Sequence, residues 1–187
     1  NGRSMAIMTQ SGAESSPGQG RRPDVELPWY AVRVKPRFER AVSQNLAAKG
    51  FVSFLPTYKE RRRWSDRVKL VELPLFPGYV FCSLDIRQRL PVLQTPGVLH
   101  FVSFDGEPAP VDTSEIHSLQ TAVSTGAPLA PWPYLREGQR VMVVHGPLRG
   151  LSGILLKVRD EFRLIISVTL LMRSVAVEID RESVRPV

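Results

Sequence analysis

Leu73-Pro-Leu-Phe-Pro-Gly-Tyr-Val-Phe81 reads as a turn that runs into a strand. Pro77-Gly78 favours a chain reversal. The residues after it alternate, so Tyr79 and Phe81 leave one face and Val80 and Cys82 the other. If Val80 and Cys82 enter a core beneath helices, Phe76, Tyr79 and Phe81 form an exposed aromatic patch, a common mark of a partner site. If helices cover both faces, the rings are core. The pattern leaves both readings open.

The same alternation appears upstream in Trp29-Tyr-Ala-Val-Arg-Val-Lys35, which places Tyr30, Val32 and Val34 on one face of a strand. Pro36 suits a first helical turn. Phe38, Ala41, Val42, Asn45 and Leu46 recur at helical spacing, and Gly50 is a stop signal. Residues 51–64 read as extended, with a break at Pro56. Ser65-Asp66 can turn the chain, and 68–73 return as the partner strand. Residues 79–84 and 98–104 also read as extended. Residues 112–123 read as a helix capped by Asp112 or Thr113. Strands mixed with about three helices predict an α+β first domain over 29–123.

Residues 124–135 contain Gly126, Pro128, Pro131 and Pro133, the composition of a stiff linker. The texture then changes. Over 136–187 short apolar runs alternate with turn signals. Val175, Val177 and Ile179 face one way, and Ser174, Ala176, Glu178 and Asp180 face the other, as a small barrel strand requires. In Val143-Val-His-Gly-Pro-Leu-Arg-Gly-Leu-Ser-Gly-Ile-Leu155, glycines at 146, 150 and 153 supply positive φ or close backbone approach in a tight loop. Residues 1–28, rich in Gly, Ser, Pro and Arg, read as a disordered tail, with 1–4, ahead of Met5, as a cloning remnant.

Composition narrows the function. The net charge of +7 over 187 residues favours an acidic partner such as nucleic acid, or simply solubility. Cys82 is the single cysteine, which excludes an internal disulfide and suits a reducing cytoplasm. No apolar run reaches the roughly 18 residues of a membrane span. His100, His117 and His145 lack metal-ligand spacing, and the glycine loop lacks the Gly-Lys-Ser/Thr of a phosphate loop. These absences predict no metal, no cofactor and no enzyme. Lys59-Glu-Arg-Arg-Arg-Trp-Ser-Asp-Arg-Val-Lys69 reads as a charged hairpin. Arg61, Arg62 and Arg63 can track phosphates and Trp64 can stack on a base, or the hairpin is simply a solvated surface.

Taken in order, these segments resemble the NusG family of transcription factors. Trp29-Tyr30 is similar to the family's opening strand, and Phe76-Pro-Gly-Tyr79 to its most recognisable N-domain motif. Pro96-Gly-Val-Leu-His-Phe-Val102 and Pro108-Ala-Pro110 match in place, and the loop from Gly146 to Gly153 resembles the KOW motif. The resemblance implies a four-stranded antiparallel sheet with flanking helices, then a small five-stranded KOW β-barrel of SH3-like form. It implies a monomer that binds the clamp helices of the largest subunit of RNA polymerase through Phe76, Pro77, Tyr79 and Phe81. It also implies contact with the non-template DNA strand. Lys35, Arg37, Arg40 and Gln44 fall where sequence-reading relatives touch single-stranded DNA, and Thr95 is similarly placed on a loop.

The comparable place to the gate-loop contact of specialised relatives reads Gln88-Arg-Leu-Pro91, not His-Thr-Thr. The general factor's C-terminal partner loop, which links polymerase to ribosomal protein S10 or to Rho, compares with Leu170-Leu-Met-Arg-Ser-Val-Ala-Val177. There Arg173 is retained, while Leu171 and Met172 replace Phe and Gly, which weakens the case for Rho. The Arg-rich hairpin and Phe101-Val-Ser-Phe104 look more like specialised paralogs that antiterminate long operons. One such paralog refolds its C-terminal domain from helices to a barrel; here period-2 alternation favours the barrel as the resting form. A structural RNA binder of the ribosomal kind shares the glycine loop but lacks the Phe-Pro-Gly-Tyr strand.

Overall fold

The computed structural model describes residues 26–64, 67–132, 138–158 and 161–187. The expected tail up to residue 25, the Ser65-Asp66 turn and the end of the expected linker lie outside them. The first module runs β1 (Trp29–Val34), α1 (Glu39–Ala48), β2 (Val52–Phe54), β3 (Thr57–Trp64), β4 (Arg67–Pro74), β5 (Tyr79–Ser83), α2 (Leu90–Leu93), β6 (Val98–Phe101), β7 (Ser103–Phe104), β8 (Glu107–Pro108), β9 (Pro110–Val111) and α3 (Thr113–Ser124). The second is all strand apart from short 3-10 turns: β10 (Leu129–Trp132), β11 (Gln139–Val143), β12 (Ser152–Val158), β13 (Glu161–Val168), β14 (Arg173–Ile179) and β15 (Val184–Pro186).

The central antiparallel sheet has the order β2-β5-β1-β6. The expected four strands are there, but β9 also pairs with β1, through Trp29↔Val111 and Tyr30↔Pro110, and makes a fifth. Alternation sorts the two faces. Tyr30, Val32, Val34, Val80 and Cys82 pack with Val42 and Leu46 of α1 and Val92 of α2. Burial pushes the Cys82 thiol up to about 12, so it is a small core hydrophobe. Pro36 does not open the helix as expected. It lies in a turn with Arg37, and α1 begins at Glu39. Asp112 caps α3 by accepting from the Ser114 amide at 2.8 Å.

The C-terminal sheet is antiparallel with the order β10-β14-β13-β12-β11-β15. It has six strands, not five. The extra one comes from the expected linker, where Leu129–Trp132 pairs along β14. A proline-rich stretch takes an edge position because an edge strand tolerates missing amide donors. Val175 and Val177 lie in the large core and Ala176 in a small cluster with Ile154 and Ile165, so the period-2 reading of this strand holds.

The glycines of the loop between β11 and β12 and of the start of β12 act in two ways. Gly146 and Gly150 have φ of 82° and 90°. Gly153 instead lets two strands approach, since a Cβ there would collide with the Ile165 carbonyl oxygen. Gly153→Ala should therefore cost about 1–3 kcal/mol through overpacking. Gly146→Ala, where a Cβ meets nothing within 4 Å, should cost only about 1–2 kcal/mol of backbone strain. Thermal unfolding of the two variants measures the order.

Candidate functional site

The second face of the central sheet decides what the Phe-Pro-Gly-Tyr segment can do. Trp29, Ala31, Phe76 and Phe81 project from this side, and Ile116, Leu119 and Ala122 of α3 cover part of it. The same unbroken apolar cluster continues through Val141, Leu164, Ile166, Val175 and Val177 of the C-terminal sheet, with Leu170 and Leu171 packed against it. The two modules are docked and share one core. Phe76 and Phe81 are 1% and 0% exposed. Phe81 packs on Phe76 at 5.7 Å and on Phe54 at 6.2 Å between centroids. The expectation of an exposed aromatic patch is thus corrected. The face assignment was right, but covering an apolar sheet face stabilises the fold by roughly 25 cal/mol per Å², and this chain supplies its own cover.

Tyr79 lies at the margin of that cover, half-buried. Its cross-strand neighbour Arg33 stacks a guanidinium over the ring at 4.7 Å, and Arg173 of β14 stacks at 5.6 Å. A residue of the expected polymerase contact and a residue of the expected C-terminal contact therefore touch each other. Leu171 is half-buried in the shared core, and Met172 is 58% exposed with φ of 49°. A second tie joins the modules where Glu115 of α3 accepts from the Thr169 hydroxyl at 2.7 Å and from its amide at 3.2 Å. The Pro77-Gly78 turn is pinned from α1, whose buried Glu39 accepts from the Gly78 amide at 2.7 Å. A Cβ on Gly78 would lie 2.5 Å from the Arg33 guanidinium. Sequence reasoning missed Glu39, which holds this turn in place; its only signal was an acid in the first helical turn.

The basic residues divide differently from the sequence expectation. In the β3–β4 register, Lys59, Arg61 and Arg63 share one face with Glu72, Leu70 and Val68. Arg62 belongs to the other face, where it pairs with Glu60 at 2.9 Å and lines a groove against the C-terminal sheet. The three arginines are therefore not one patch. The Trp64 side chain lies outside the described residues. Arg40 reaches from α1 to Glu72 at 2.6 Å, and Thr57 donates to the same carboxylate at 2.6 Å. This tie brings exposed Arg40 to the face of Lys59, Arg61 and Arg63. Lys35, Arg37 and Gln44 are also exposed.

Thr95 is a correction. It is 2% exposed, donates to the Pro91 carbonyl at 3.0 Å and accepts from Lys49 at 2.8 Å, so it anchors α2 to α1 and is closed to a strand of DNA. Among the described residues no group of His, Cys, Asp and Glu is arranged to hold a metal ion, and no helix is long and apolar enough to cross a membrane.

A family model described as "Transcription termination factor nusG" matches residues 27–120. The chain is 28% identical over 177 residues to the transcription termination/antitermination protein NusG of Thermus thermophilus, covering 83% of this chain and 96% of that one. It is 25% identical over 174 residues to the NusG of Lactococcus lactis, covering 85% and 92%. Among solved structures it is similar in fold to "Domain interaction in Thermotoga maritima NusG", with a TM-score of 0.52, 23% identity, and coverage of 86% of this chain and 97% of that one.

The hairpin tie carries its own pH dependence. Hydrogen bonds from Thr57 and Arg40 hold the Glu72 carboxyl below the usual carboxylate range. The tie is present above the unfolded carboxylate value and is lost as pH falls through the lowered folded value. Acid titration followed by NMR should release the Arg40 side chain in that window, and Glu72→Gln should remove the transition.

Proposed function

The chain belongs to the NusG family, a mixed α+β fold with few helices and many strands, and on that premise we propose that it is a transcription elongation and antitermination factor. Its first module grips the clamp helices of the largest subunit of RNA polymerase with the surface around Pro77 and Tyr79, backed by Phe76 and Phe81. The grip disfavours the clamp opening that accompanies pausing, so the factor works by preferring one polymerase state over another. Specialised action on particular long operons is favoured over general coupling to Rho or to S10, because Arg173, a residue such a coupling would use, is already engaged with Tyr79 of the first module.

The single observation that carries this reading is the Arg33–Tyr79–Arg173 stack at the edge of the shared core. A sheet face covered by the chain's own second module is one that a helical hairpin from a partner can occupy when that module leaves. The docked form is then the resting form, and the partner must outcompete it.

Polymerase binding by the full chain tests this. Tyr79→Ala, at a half-exposed ring, should weaken binding by tenfold or more, equivalent to about 1.4 kcal/mol, and leave the fold intact. Phe81→Ala is not a clean probe, since emptying that site should cost about 3–5 kcal/mol of stability. Glu115→Ala, which cuts the tie to Thr169, should strengthen binding. Unchanged affinity in a folded Tyr79→Ala chain places the contact elsewhere.

The non-template strand is the second proposed partner, held by Arg40, Lys59, Arg61 and Arg63. Charge reversal at Arg61 and Arg63 should weaken single-stranded DNA binding and lower its salt dependence, with Arg62→Glu having the smaller effect. An equal effect from all three reversals would show that strand alternation does not govern the contact.

A further inference from the structure

Between the hairpin base and the C-terminal sheet lies a groove of about 500 Å³, bordered on one side by Pro77 of the proposed polymerase contact. It is lined by three arginines, Arg37, Arg62 and Arg173, and by two aromatic residues, Tyr58 and Trp132. We propose that this groove is a nucleotide-binding site, with an aromatic base stacked against Trp132 and Tyr58 and a phosphate held among the three arginines.

The volume lies within the ordinary range for small-ligand pockets. Arginine forks match phosphate oxygens, and bases of every kind stack on aromatic rings. The Arg163 guanidinium stacks on the Trp132 ring at 5.4 Å and so restrains it. Among the described residues, Arg37 and Arg173 make no salt bridge, and Arg62 is shared with Glu60. One carboxylate, Glu39, also lines the groove, but it is 6% exposed and committed to the Gly78 amide. The groove therefore keeps a positive balance. Arg37 adds a second sign of a site. Its φ of 69° is unfavourable for a residue with a Cβ, and such strain collects where binding requires a set geometry.

Tyr58 and Arg62 come from the hairpin, and Trp132 and Arg173 from the C-terminal sheet. The site is complete only while the modules are docked, so its occupant favours docking and opposes exposure of the Tyr79 face. That consequence rests on the proposed polymerase contact, whereas nucleotide binding does not. The same chemistry is offered by a free mononucleotide and by one nucleotide of a single strand.

Titration calorimetry of the full chain with adenosine and guanosine monophosphates, inorganic phosphate and a deoxyadenosine tetranucleotide tests the proposal. A mononucleotide should bind at least about tenfold more tightly than phosphate alone. Arg173→Gln and Trp132→Leu should each weaken it by about tenfold or more. Arg37→Gln, at an exposed position, gives the same reading should Trp132→Leu fail to fold. Tetranucleotide binding more than about tenfold above the mononucleotide, and equally sensitive to Arg173→Gln, assigns the site to a strand; comparable affinities assign it to the free nucleotide. Lys59→Glu with Arg61→Glu should leave mononucleotide affinity unchanged, so loss of the hairpin's DNA contact does not mimic failure here. No binding of mononucleotide or tetranucleotide to the folded wild-type chain, or equal binding by the folded groove variants, overturns the proposal.

Discussion

Burial of the second face of the β1–β5 strand pair is the constraint from which the architecture follows. Alternation along β1 and β5 sends Tyr30, Val32, Val80 and Cys82 beneath α1 and α2, and necessarily sends Trp29, Ala31 and Phe81 the opposite way. A face carrying Trp29, Phe76 and Phe81 is too apolar to leave in water. Helix α3 covers part of it, and the shared core with the C-terminal sheet completes the cover. Docking is thus the price of an apolar two-sided sheet in a small module.

That cover links the two modules energetically. Each surface proposed to meet an outside partner is partly satisfied by the other, most directly where Arg173 stacks on Tyr79. A partner for either surface gains only the difference between its own contacts and those it displaces, so affinity measured on the full chain contains the docking equilibrium. The tie between Glu115 and Thr169 and the groove between hairpin and sheet bias the same equilibrium from other sides.

Docking leaves one face of the hairpin outward. Lys59, Arg61 and Arg63 are exposed and share their face with exposed Val68 and Leu70. Arg40 holds the hairpin base to α1 through Glu72. Exposed ion pairs of this kind add little to stability; their effect here is to set direction, aligning the hairpin's positive face with that of α1.

The sequence alone determined most of what is local. Periodicity gave the strands at β1 and β5, helix α3, and the alternating faces of β14, because side-chain direction follows directly from backbone period. Motif order gave the family. The burial of Phe76, Phe81 and Thr95 and the pairing of the linker residues Leu129–Trp132 with β14 were decided only by tertiary structure. Alternation says that a face exists but not what covers it. The cover on Phe81 comes from elements far along the chain, and long-range packing leaves no periodic mark in the residues it buries.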